Sequence, residues 1–353
     1  MNPNTAIVFS FSGGSSKGFG QNLFIKKFLQ QWGVSQDDFL RHVSCFGGVS
    51  IGALLAAGYS SGKTPDELEK IFKEKSKRLF TTRSALDVAL NSHNASEDSN
   101  RPNTAQKIAM IGLNDPFYKS AYPDSNYGSN VLQQVLTETF GTSTLSSLKN
   151  YFVTAAVERD ISRPVYFSNF EDPTFFKGKT ETIVNVCRAS SAAYPYLPSY
   201  YWNGHEYIDG AFLINNVAEP AYNIALTTQP NATKIVVIFV SAGIGGNIGF
   251  DSSASSKTGQ HGVSKMFEYH NMLMVNAEES IRVNFQYKAS RLNRLTGKSL
   301  YFYSFQPRFP EGFSNEIDNS SESWFKSLET HIENHYFAES DKISSIISRL
   351  PTN

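Results

Sequence analysis

Apolar and polar positions along the chain follow two rhythms that exchange places every ten to twenty residues. Ile7-Val8-Phe9 is a short continuous apolar run, which predicts a strand buried on both faces, as in a parallel sheet. Ile25, Phe28, Leu29 and Trp32 then recur at i, i+3, i+4 and i+7, one face of an amphipathic helix. His42 to Phe46 predicts a second strand, followed by a helix whose small residues Ala53, Ala56 and Ala57 pack close to a sheet. Thr64-Pro65-Asp66-Glu67 combines an N-cap, a proline at the first helical position and a capping-box glutamate, and Leu68, Ile71 and Phe72 give that helix its apolar face.

Between about Thr81 and Asn126 the pattern dissolves. Asn91 to Asn103 is polar and rich in Ser and Asn, and predicts a mobile loop. Ile108, Met110, Ile111, Phe117 and Tyr118 are apolar islands in this setting, readable as a small satellite core or as a lid over a lipid groove. Regular structure resumes at Ser129, where Val131, Leu132, Val135 and Leu136 share a helical face that ends before Gly141. Tyr151 to Val157 and Val165 to Phe167 read as strands, Glu181 to Ala193 as a helix. Asn203-Gly204, between Tyr200-Trp202 and Glu206-Ile208, signals a type I′ hairpin. Ile235 to Val240 is another buried strand, and a helix carrying Ile343, Ile346, Ile347 and Leu350 closes the chain. Alternating strands and helices predict a three-layer α/β/α fold with a mainly parallel central sheet.

Composition adds little beyond this. With 353 residues, 40% hydrophobic, the chain can build a full core. Lys+Arg and Asp+Glu both number 32, which gives no reason to expect a nucleic-acid partner. The only cysteines, Cys45 and Cys187, form neither a metal-ligand spacing nor a disulfide framework, which favours a reducing compartment. The first apolar stretch is too short for a signal peptide and no run reaches the length of a membrane span. The expectation is a cytoplasmic chain that meets membranes peripherally, with export as an effector left open.

Three separated segments carry candidate chemistry. Gly13-Gly14-Ser15-Ser16-Lys17-Gly18 lies between a strand and a helix; Lys17 is followed by Gly18 and Phe19, so the Walker phosphate-loop pattern fails. Such a turn is either structural or a nest of backbone N–H groups for an oxyanion. Gly48-Val49-Ser50-Ile51-Gly52 is a G-x-S-x-G sequence between strand and helix, which places Ser50 on a strained elbow at a helix N-terminus. Asp209-Gly210-Ala211 closes the hairpin, with Arg188-Ala189-Ser190-Ser191-Ala192-Ala193, Pro195 and Pro198 before it and Asn215-Asn216 after it.

This ordered set, over roughly Ile7 to Gly245, resembles the patatin-like phospholipase family. The resemblance implies residues 1–245 as the catalytic domain, with a lid-like insertion over about 81–126. Residues 246–353 are then an extension packed on the same domain, with a flexible loop at 251–262. It implies a Ser–Asp dyad of Ser50 and Asp209, oxyanion donors among Gly13, Gly14, Ser15 and Ile51, and hydrolysis of phospholipid acyl esters without metal or cofactor. Lys17, Ile111 and Phe117 are the implied substrate contacts. Ser15 stands in place of a third glycine, Ala211 in place of a second glycine after the aspartate, and Ile51 where a small residue is commoner.

Two other readings remain. A Ser–His–Asp esterase would keep the order Ser50, Asp209, histidine, with His261, His270, His331 or His335 as the third member. A catalytically inactive lipid-binding module would account for the three departures. The region beyond Gly245 is left for an activator, a partner or a second copy of the chain.

Overall fold

β1 (Thr5–Phe11) is buried at every position because it has a strand on each edge and helices over each face. The computed structural model describes residues 4–81, 129–193, 197, 199–247, 279–292, 294–314 and 320–352. Ile111, Phe117 and the other apolar islands of the predicted lid, His261, His270 and the stretch 251–262 lie outside the described residues.

The central sheet runs β10-β8-β1-β2-β3-β4-β5. Its parallel body consists of β1, β2 (Val43–Gly48), β3 (Tyr151–Glu158), β8 (Lys234–Val240) and β10 (Ser299–Phe305). β4 (Arg163–Ser168) runs antiparallel to β3 and carries the short β5 (Phe176–Lys177). A hairpin of β6 (Tyr200–Trp202) and β7 (His205–Asp209) also joins β3 antiparallel. β9 (Ile244–Asn247) and β11 (Arg308–Ser314) form a separate parallel pair.

Alternation along β1 divides the interior in two. Ile7, Phe9 and Phe11 face one core, shared with α1 (Gly18–Trp32), α2 (Gln36–His42), α3 (Ile51–Ser60) and α4 (Pro65–Thr81). α5 (Ser129–Phe140), α6 (Ile183–Ser190), α8 (Glu322–Ala338) and α9 (Ser340–Ile347) contribute to the same core. Ala6 and Val8 face the other, under α7 (Ala218–Thr228) and the helical residues 279–292. The result is the predicted α/β/α architecture with a mainly parallel sheet.

Local signals held in several places. Thr64 and Glu67 cap each other's amides at 3.1 and 2.7 Å. Asn203 and Gly204 both have positive φ, 53° and 83°, as a type I′ turn demands. Differences are also clear. His42 ends α2 and does not open β2. The helix predicted over Glu181 to Ala193 is shorter, because the Thr182 side chain caps it at the Asn185 amide and it ends at Ser190. Leu350 is buried, yet beyond the end of α9.

Phe9 is the hub of the larger core, with ring centroids 5.3 Å from Phe39, 5.8 Å from Phe28 and 6.1 Å from Phe46. Phe9→Ala leaves a cavity among aromatic rings that cannot collapse. It should cost about 3–5 kcal/mol, read as a lower denaturant midpoint at unchanged slope.

Candidate active site

One edge of β3 is shared by two strands of opposite direction. Tyr151 to Thr154 pair with β2, ending at Thr154 against Gly48. Ala156 to Glu158 pair with β7, beginning at Ala156 against Asp209. Because β2 is parallel and β7 antiparallel to β3, their C-terminal ends meet head-on beside Ala155. The sequence motifs that leave those ends are brought together by this register. Ser50 Oγ donates a 2.5 Å hydrogen bond to Asp209 Oδ2.

Ser50 has φ 56° and ψ −124°, strained for a residue with a side chain. The turn closes only because its flanking glycines lack a Cβ. A Cβ on Gly48 would lie 2.0 Å from the Gly52 oxygen, and one on Gly52 2.5 Å from the Phe11 oxygen. Ser50 is left partly exposed at the N-terminus of α3, where the helix dipole favours negative charge.

Asp209 is 3% exposed, and burial pushes its carboxyl up to about 7. The Ser50 hydroxyl, the Ala211 amide at 2.8 Å from Oδ1 and the charge of Arg188 pull it back down without cancelling burial. Its own amide donates to the Ala192 oxygen at 3.0 Å. Arg188, buried with its guanidinium 5.1 Å from the Tyr200 ring centroid, is pushed down to about 10 by the same loss of solvent.

The glycine loop joins from the end of β1. A Cβ on Gly13 would fall 2.8 Å from Asn215 Oδ1, 3.1 Å from Ser50 Cβ and 3.3 Å from Ala211 Cβ, so this one position of the glycine loop abuts both other motifs. Of the four predicted oxyanion donors, Gly13 differs: its N–H donates to Asn215 Oδ1 at 2.8 Å and is buried. The N–H groups of Gly14, Ser15 and Ile51 have no acceptor among the described residues, and all three residues are partly exposed. Gly14 and Ser15 have φ of 157° and 52°, which splays the loop outward. Ser12 ties this loop to the end of β8: its Oγ accepts from the Ala242 amide at 2.8 Å, and Gln21 Nε2 bridges the Ser12 and Val240 oxygens at 3.0 and 2.8 Å.

The remaining candidates fall elsewhere. Lys17 is buried at the end of the short turn Ser15–Lys17, beside Gly14. His331 packs edge-on against Phe313, and His335 against Phe305, both half-buried on α8. Among the described residues no histidine bonds to Ser50 or Asp209, whose side chains bond to each other and, for Asp209, to the Ala211 amide. One trio there, Glu158, Asp160 and His205, brings metal-type ligand atoms within 4.8 Å. It sits at the far end of β7 from Asp209 and already pairs internally and with Lys177. Sequence reasoning passed over Thr154, Ser190 and Ala192; the last two stood inside a noted motif but carried no assigned role.

A profile described as patatin-like phospholipase matches residues 9–222. The chain belongs to the patatin-like phospholipase family, a family of lipid acyl hydrolases. A cGAMP-activated phospholipase of Escherichia coli (strain TW11681) is 25% identical over 177 residues, which span 50% of this chain and 41% of that relative. Two solved structures show a more distant likeness. VipD from Legionella pneumophila is 16% identical with a TM-score of 0.46, covering 98% of this chain and 67% of VipD. The type III effector ExoU is 11% identical with a TM-score of 0.38, covering 98% of this chain and 53% of ExoU.

The elbow makes a prediction about folding alone. Gly48→Ala meets rigid backbone and should lower the melting temperature far more than Gly33→Ala, where φ is 73° but nothing lies within 4 Å. The latter should cost only about 1–2 kcal/mol, the penalty for a Cβ in the left-handed region.

Proposed function

We propose that the chain is a serine acyl hydrolase of phospholipase A or lysophospholipase type, cleaving fatty-acyl esters of membrane phospholipids through a Ser50–Asp209 dyad. The observation that carries this reading is the 2.5 Å hydrogen bond from a strained, partly exposed serine to a buried carboxylate held near 7. A carboxylate with that affinity for a proton is a competent general base near neutrality, and it needs no histidine between it and the serine.

Asp209 takes the Ser50 proton as Oγ attacks the ester carbonyl carbon. Negative charge develops on the carbonyl oxygen, where the N–H groups of Gly14, Ser15 and Ile51 receive it. Each such donor is worth ~3 kcal/mol in the transition state. Collapse breaks the ester C–O bond, Asp209 returns the proton to the departing alcohol, and the acyl group remains on Ser50. Water then repeats the sequence in the second half, losing a proton to Asp209, releasing the fatty acid and restoring the serine.

Lipid is reached at a surface or as monomers. No helix among the described residues is long and apolar enough to cross a membrane. Ile111 and Phe117, from the predicted lid, are the proposed contacts with the acyl chain or lipid boundary, and Lys17 steadies the loop near the substrate. Phe117→Ser with Ile111→Ser should lower activity on vesicles more than on a short soluble ester. Because the E. coli relative is named as cGAMP-activated, cGAMP is the first activator to add to the purified chain.

The dyad is tested with a fluorophosphonate probe and a phospholipid substrate. Ser50→Ala should abolish labelling and turnover while the protein stays folded; normal hydrolysis by this variant rules the mechanism out. Asp209→Asn should lower kcat with little change in KM.

pH supplies a separate check. Catalysis needs Asp209 ionised, so kcat/KM should rise as pH increases through about 7. Stability should move the other way. The folded carboxyl holds its proton more tightly than the unfolded one, whose ordinary value is 3.8. Between 3.8 and about 7 the native state therefore binds more protons, and its stability falls as pH rises through that window. Asp209→Asn should flatten this fall, as measured by denaturant midpoints across the pH range.

A further inference from the structure

Where β3 passes from β2 to β7, Ala155 has a strand partner, Tyr166, on the β4 edge but none on the shared edge. Its carbonyl is buried there, and the Gly210 backbone lies so close that a Cβ on Gly210 would sit 2.2 Å from the oxygen. A buried carbonyl without a partner costs about 1–3 kcal/mol. Ser190, the last residue of α6 and fully buried, donates its hydroxyl proton to this oxygen at 2.8 Å instead of to its own helix.

That donation fixes the rotor, and both lone pairs of the hydroxyl are then used. One accepts from Thr154 Oγ1 at 2.9 Å, the other from the Ser50 amide at 2.9 Å. Ser50 thus has its side chain on Asp209 and its backbone on Ser190. Two residues further on, the Ala192 oxygen accepts the Asp209 amide at 3.0 Å. One short stretch of chain therefore holds the backbone of both dyad members from beneath, and neither anchor blocks the exposed N–H of Ile51.

We propose that Ser190 is a positioning residue for the Ser50 reaction, resting on the dyad reading above: it locks the nucleophile's backbone to β3 so that its hydroxyl stays aimed at Asp209. The Ser50 amide lies at a positive φ, where nothing else among the described residues accepts it. Without the anchor the elbow is free to rotate and the Ser50–Asp209 bond lengthens. The Ser50 hydrogen bond is among the influences that lower the Asp209 pKa, so its loss should let that carboxyl rise.

The experiment compares wild type with Ser190→Ala, Ser190→Thr and Thr154→Val. It measures fluorophosphonate labelling rate against pH, kcat and KM, melting temperature, and hydrogen exchange in a peptide containing the Ser50 amide. Ser190→Ala should label more slowly by on the order of tenfold or more, lose kcat at unchanged KM, and shift its acid limb to higher pH. Its Ser50 amide should exchange faster. Ser190→Thr keeps the hydroxyl and should restore rate, pH midpoint and protection, even if the added methyl lowers stability. Thr154→Val removes a different bond from the same hydroxyl and should cost stability with a much smaller loss of rate. The inference is overturned if Ser190→Ala labels at the wild-type rate with an unmoved midpoint. It is equally overturned if Ser190→Ala and Thr154→Val lose rate alike, in step with melting temperature. A wild type that the probe never labels at Ser50 overturns the hydrolase reading itself, and this inference with it.

Discussion

The arrangement depends on the register of a single strand edge. β3 pairs with β2 up to Thr154 and with β7 from Ala156, and the two partners approach from opposite directions. A shift of the β7 register by one residue would turn Asp209 to the other face of the sheet. The dyad geometry is therefore no looser than the hydrogen-bond ladder of a buried sheet. Two chain ends separated by 159 residues are held to the tolerance of neighbouring strands.

The same junction explains the electrostatics. Bringing a carboxylate to the seam between two strands removes it from water, and loss of solvent dominates the opposing pull of the Ser50 hydroxyl, the Ala211 amide and Arg188. The charge of Arg188 is the smallest of these opposing influences, so burial keeps the upper hand. Burial and partial compensation together set its proton affinity.

Much of this was legible in the sequence, because the controlling signals are local. Continuous apolar runs marked β1 and β8, the i, i+3, i+4, i+7 pattern marked α1, and Asn203-Gly204 fixed the hairpin that delivers Asp209. Glycines flanking Ser50 announced a turn that no Cβ could enter. What could not be read is long-range. Ser190 stands in the noted Arg188–Ala193 segment, but nothing local separates it from Ser191; its role lies in a vacancy on β3 that exists only after two distant strands have docked. Gly13 looks like its neighbour Gly14 in sequence, yet Asn215, a residue 202 positions away, claims its amide. β10 was missed for another reason: Leu300-Tyr301-Phe302-Tyr303 is a continuous apolar and aromatic run, but it lies beyond the last motif that pointed to the sheet, and its place beside β8 is set by long-range pairing.

The link between Ser12 and the end of β8 has a practical reach. The Ala242 amide, the Val240 oxygen and Gln21 hold the glycine loop from its far side, and β8 covers the whole length of β1. The Ala242 amide, the Val240 oxygen and all of β8 lie beyond residue 222, where the family match stops. A fragment cut at that boundary would expose the entire β1 edge and strand the loop's anchors. The smallest transplantable unit must extend through β8, its flanking β10 and the helices α8 and α9 that complete the core over α1. A cut anywhere before the end of α9 removes part of what holds the loop's own helix in place.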